Sequence, residues 1–228
     1  MLAIQYTLIP FCAVVIGAVL SVLRRPGTAF VSAMQHLAAG VVFAAAAVEI
    51  LPQIKHDASP LATLIGGGVG VGVMLLLKEL EARATGPVAM LTAVGIDILV
   101  DGLVLGLAFI AGAKAGILLT VALTLEVLFL ALVVTSKLGE MTVSRFRIIF
   151  IVAAMGLLLP FGAGLAIPVA SFPPPVIVGF LSFGLMALLY LVTEELLVDA
   201  HERPDSPLIS AMFFVGFLGL LLVEELMA

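Results

Sequence analysis

Apolar residues run along this chain in eight long blocks. The segments between the blocks are short and hold all ten lysines and arginines: RRPG, KHDASP, KELEARATGP, GAKAG, SKLGEMTVSRFR, SFPPP and HERPDSP. A helix that crosses a bilayer needs about 20 mainly apolar residues. The blocks at about 3–23, 29–52, 59–77, 87–111, 114–136, 146–170, 174–198 and 206–227 meet that requirement. Their apolar runs are continuous rather than alternating, which excludes the strands of a transmembrane β-barrel. The pattern predicts an all-α integral membrane protein of eight transmembrane helices, with residues 1–228 forming a single transmembrane domain.

Composition agrees. Hydrophobic residues make up 63% of the chain and charged residues 11%, with a mean hydropathy of +1.34. A soluble domain carries roughly 25% charged residues. The expected partner is therefore the lipid bilayer. The net charge of −5 offers no basic stripe for nucleic acid. The single cysteine, Cys12, can form no intrachain disulfide and reads as a small apolar side chain of the first block. No basic segment precedes that block, so it reads as a retained span rather than a signal peptide.

The basic residues set an expected orientation. With the N-terminus outside, the inner loops hold Arg24, Arg25, Lys78, Arg83, Lys137, Arg145, Arg147 and Arg203, and the outer loops hold Lys55 and Lys114. Eight against two is a strong bias under the positive-inside rule, and it places both termini on the extracytoplasmic side. A weak internal echo accompanies it. AAGVVFAAAAVEILPQIKH in the second block and FGLMALLYLVTEELLVDAH in the seventh each carry a glycine, then an acid, then a histidine. Glu49 to His56 and Glu194 to His201 have equal spacing. The two blocks cross in opposite directions, as inverted repeats of transporters do.

Several acids interrupt the apolar blocks. Asp97 and Asp101 in GIDILVDGLVLG lie four residues apart, on one helix face, with Cβ atoms about 5–6 Å apart. A charge at the bilayer centre costs at least ~2.5 kcal/mol, and no Lys or Arg lies deep in any block. Two such acids need a shared proton or a bound cation. Glu126 in the fifth block strengthens the case. Asp101 precedes the short turn near 112–115 by about ten residues and Glu126 follows it by about eleven, so at 1.5 Å per residue they share a depth. Carboxylate oxygens ligate divalent cations. Asp97, Asp101 and Glu126 are the expected metal site. Gly102 and Gly106 form GxxxG, a close-packing pattern, and GGGVGVG in the third block lacks the Lys-Ser/Thr tail of a phosphate loop. Glu224 and Glu225 fall at the outer end of the eighth block, where water is expected to reach them.

At these residues the chain resembles the ZIP (Zrt-, Irt-like protein) family of divalent-metal transporters. HLAAGVVFAAAAVEILPQ is similar to the family's second span, often written AAGVxLxxAxxELLPE. LYLVTEELLVDAHE is similar to its seventh, typically xxxxDELLPEAHE. The fourth span usually carries His-Asn-x-Pro-Glu-Gly, and here Asp97, Ile98, Val100 and Asp101 stand at the His, Asn, Pro and Glu positions. In the fifth span Glu126, Val127 and Leu130 replace the family's usual ligand set, and Leu159 stands before Pro160 where the sixth often has an acid. This chain resembles a diverged prokaryotic member that keeps one metal position and has lost the second.

The resemblance implies a ZIP-like fold with inverted repeats and a homodimer. It implies alternating access, in which spans 1, 4, 5 and 6 move against spans 2, 3, 7 and 8. The substrate it implies is a divalent metal ion (Zn, Mn, Fe or Cd), with no prosthetic group. An all-oxygen set suits harder ions such as Mn²⁺. Three carboxylates with one divalent ion leave a net charge that a proton would balance, so protons are expected as the coupling partner. Asp199, His201 and Glu202 at one face, and Glu49, His56 and Asp57 toward the other, form the expected exit and entry relay. His36 reads as a core or interfacial histidine. The expected location is a bacterial inner (plasma) membrane. The alternative is a diverged ZIP-like protein that carries another solute or acts as a sensor. An enzyme is not expected. A membrane metalloprotease wants H-E-x-x-H, and the three histidines lie near the membrane faces.

Overall fold

A chain buried in lipid must pair its backbone N–H and C=O groups within itself, and each apolar block does so as a helix. The structure, a computed structural model, describes residues 2–24, 26–57, 59–83, 86–140, 144–201 and 206–227, apart from the side chains of residues 81 and 87. Among these residues there are eight helices long and apolar enough to cross a membrane, and no strand. They are α1 (Leu2–Leu23), α2 (Thr28–His56), α3 (Pro60–Arg83), α4 (Pro87–Ala111), α5 (Ala113–Gly139), α6 (Arg145–Ser171), α7 (Pro174–His201) and α8 (Pro207–Leu226). Pro174 and Pro207 open their helices, where a missing N–H costs nothing.

Four helices are irregular: α1 has a turn at Thr7, between Leu2–Tyr6 and Leu8–Leu23, and the others are α6, α2 and α7. In α6 the helix breaks after Gly156, the residue whose carbonyl the ring of Pro160 would strike. In α2 the turn Ala46–Ile50 is a π-helix, directly ahead of Pro52. The wide turn takes up the clash of the proline with the preceding turn. In α7 the turn Leu191–Leu196 is also a π-helix. There the Thr193 hydroxyl donates to Leu189 O at 2.9 Å. Both helices run on past these turns to His56 and His201. Glu49, Glu194 and Glu195 therefore sit within continuous helices.

Four pairings dominate the packing: α2 with α8, α1 with α5, α3 with α7, and α4 with α6. A second set joins α4 to α5, α2 to α5, and α7 to both α2 and α4. The most buried helices are thus α2, α4, α5 and α7. At the other extreme, only 17% of α3 and 11% of α8 is buried, so these two helices flank the bundle and turn most of their surface to lipid. Glycine makes the closest approaches possible. A Cβ on Gly102 would strike the backbone carbonyl of Leu159, and one on Gly162 would strike that of Leu99. The α4–α6 contact is backbone against backbone. Cys12 faces outward from α1.

The two chain ends meet at one end of the bundle. Tyr6 of α1 packs on Phe109 of α4 with ring centroids 5.1 Å apart, and Glu224 of α8 bonds to Lys114 of α5. We call this the terminal end. His36 of α2 and His201 of α7 mark the opposite end.

Candidate metal centre

Helix α4 carries no lysine or arginine, and α5 keeps its two lysines in its first and last turns. Between them the carboxylates meet. Asp97 and Asp101 of α4 and Glu126 of α5 each bring an oxygen within 4.8 Å of the others. Asp101 and Glu126 are 2% and 1% exposed, and Asp97 is half-buried. The i, i+4 spacing aims both aspartates at α5, and the short α4–α5 connection at Gly112 sets the register that brings Glu126 level with them.

Asp101 Oδ2 and both oxygens of Glu126 are buried with no hydrogen-bond partner among the described residues. Buried polar atoms are normally paired, and an unpaired carboxylate in low dielectric costs far more than a neutral group. Like charges add to the cost. Glu126 lies within electrostatic range of Asp97, and Asp101 within range of Glu126. A cation at the centre removes both penalties. Oxygens around an octahedral ion at about 2.1 Å lie roughly 3–4 Å from one another. The observed spread closes onto an ion by side-chain rotation of under about 1 Å.

Glu195 also belongs to this neighbourhood. It lies in the π turn of α7, close enough to repel both Asp101 and Glu126. The sequence pattern does not single it out, because a π turn leaves no periodic signature. The positions Ile98, Val127 and Leu130 are apolar in the structure as well as in the sequence. With Val14 and Val152 they line a small apolar cavity between α1, α4, α5 and α6.

The expected relay residues divide between the two ends. At the terminal end Glu49 is partly buried in the α2 π turn, and His56 is exposed with Nδ1 3.0 Å from Asp57 Oδ1. At the opposite end Gln35 Nε2 donates to Asp199 Oδ2 at 3.4 Å, and Ser32 Oγ donates to Ala200 O at 2.9 Å. The His36 and His201 rings meet edge-on with centroids 4.9 Å apart. Their Nδ1 atoms lie 2.9 Å from Ser32 O and 2.6 Å from Leu197 O. A carbonyl only accepts, so Nδ1 is the donor in each contact. His36 is 1% exposed, a core histidine, as expected. Glu202, and the orientation residues Arg25 and Arg203, lie outside the described residues. Glu224 departs from expectation. It is ion-paired to Lys114 with its side chain 20% exposed, not solvated at a free helix end.

No protein-family model matches the sequence, and no curated protein matches it.

Proposed function

We propose that this protein carries a divalent metal cation across a membrane, binding it at Asp97, Asp101 and Glu126 midway along helices α4 and α5. The observation that carries the reading is the buried, unpartnered state of Asp101 Oδ2 and both Glu126 oxygens, in helices without a nearby cation. A lipid-embedded helix has no use for such groups unless something charged visits them. The ligand set is all oxygen, which favours Mn²⁺ or Fe²⁺ over zinc, although carboxylates accept Zn²⁺ and Cd²⁺ too. Ile98, Val127 and Leu130 are apolar and offer no ligand for a second ion.

The motifs of the second and seventh spans support a place in the ZIP family. The packing supports its inverted repeat. Exchange α1 with α6, α2 with α7, α3 with α8 and α4 with α5, and the four dominant pairings map onto one another. The two π turns, each holding an acid, exchange as well. In this reading α1, α4, α5 and α6 form one moving unit and α2, α3, α7 and α8 the other. Both termini face the extracytoplasmic side of a bacterial inner membrane, and the carrier works as a homodimer. Protons return through the same carboxylates when the ion has left.

The test is flux into proteoliposomes. Reconstituted protein is expected to take up Mn²⁺ or Zn²⁺, and Asp101→Asn to lose that uptake. No flux and no binding of any divalent ion by the native protein would sink the proposal. Binding without flux would assign the chain a sensor's role instead.

A further inference from the structure

The two ends of the bundle are tied differently, and the difference has a physical origin. At the opposite end Lys78 of α3 reaches the α7 π turn and donates to Glu194 Oε2 at 2.8 Å. Under the same exchange of helices, α3 corresponds to α8 and α7 to α2. Lys78 and Glu224 lie at matching depths, each about five turns after the proline that opens its helix. The residue of the α2 π turn that corresponds to Glu194 is Glu49. At the terminal end the matching pair is therefore acid against acid. The cation comes from elsewhere. Lys114, in the first turn of α5, bonds to Glu224 and stands within electrostatic range of Glu49. Lys78–Glu194 joins two helices of the same unit. Lys114–Glu224 joins α5 of one unit to α8 of the other, and its side chains are only 34% and 20% exposed.

We propose that Lys114, Glu224 and Glu49 form a latch that holds the terminal end of the carrier shut. Remove the ammonium, and Glu49 and Glu224 confront each other without a counter-charge across the seam between the units. Repulsion then favours parting at that end. The inference rests on the two-unit carrier reading, but its test needs no transport.

A reporter cysteine reads the seam. Val104 is 1% exposed and packs on Gly184 of α7, one turn beyond Asp101 toward the terminal end. Val104→Cys is placed in a Cys12→Ala background and the protein is embedded in lipid nanodiscs, where both faces meet solvent. Labelling by a membrane-impermeant maleimide is expected to be slow. Lys114→Gln is expected to speed it about fivefold or more, the lower range of an allosteric coupling. The charge swap Lys114→Glu with Glu224→Lys restores slow labelling, which separates latch opening from misfolding. Equal rates in the parent and Lys114→Gln, or a swap as fast as Lys114→Gln, would overturn the latch. The flux assay judges the carrier reading separately, since this labelling is measured without metal.

Discussion

Gly102 lies against the backbone carbonyl of Leu159, immediately next in sequence to the buried carboxylate of Asp101. The spacing of α4 from α6 and the position of the proposed metal site are thus set by neighbouring residues. Gly102→Ala forces a methyl group onto a backbone oxygen that cannot swing aside, at a cost of about 1–3 kcal/mol. The expected outcome is a lower melting temperature together with weakened metal uptake. Gly68→Ala is the control: nothing lies within 4 Å of its Cβ position, and better helix propensity makes it neutral or stabilising by up to ~1 kcal/mol. Thermal unfolding of the two variants in one detergent compares them directly.

Asp101→Asn and Glu126→Gln should change the apo and metal-loaded proteins in opposite senses. Without metal, each removes a buried like charge beside Asp97 and Glu195, so the apo protein should melt at the same temperature or higher. With metal, the native protein gains about 2.7 kcal/mol at a hundredfold excess over Kd, and the variants gain nothing. A native protein whose melting temperature ignores Mn²⁺, Zn²⁺, Fe²⁺ and Cd²⁺ alike contradicts the site.

Metal binding should release protons, because a carboxylate must be ionised to ligate. Affinity is then greatest at high pH and falls as the pH is lowered and protons occupy the three acids. Calorimetric titration in two buffers of different ionisation enthalpy measures the protons released. Zero release across the acidic range would mean that the site does not exchange metal for protons.

Asp97→His places an imidazole nitrogen among the oxygens. Zinc favours such mixed sets more than manganese does. The ratio of zinc to manganese affinity is expected to rise about tenfold, a change of about 1.4 kcal/mol. Competition between the two ions in the flux assay reports it. An unchanged ratio would place Asp97 outside the coordination sphere.

The eight helices and the meeting of Asp101 with Glu126 were legible in the sequence because both come from one-dimensional rules. Apolar length gives a span, and equal distance from a short turn gives equal depth. The features that escaped depend on direction or on distant partners. Glu195 lies in the α7 π turn within electrostatic range of Asp101 and Glu126, while its neighbour Glu194 meets Lys78. Lys114 and Glu224 are 110 residues apart, and although the expected topology puts both at the outer end, no local pattern records that they pair. The aromatic contact of His36 with His201 joins α2 to α7 and has the same cause.

The order in which these helices pack bears on how the protein is made. In each of the four dominant pairings, the partners are separated in the chain by at least one other helix, and α2 waits for α8, the last to be synthesised. A nascent chain entering the membrane span by span therefore holds α4 beside α5 well before α6 and α7 arrive to cover them. During that interval three carboxylates face lipid or the insertion machinery with only each other for company. Metal or protons available at the site of synthesis would shield them, so the ion proposed to bind these carboxylates would also act as an aid to biogenesis.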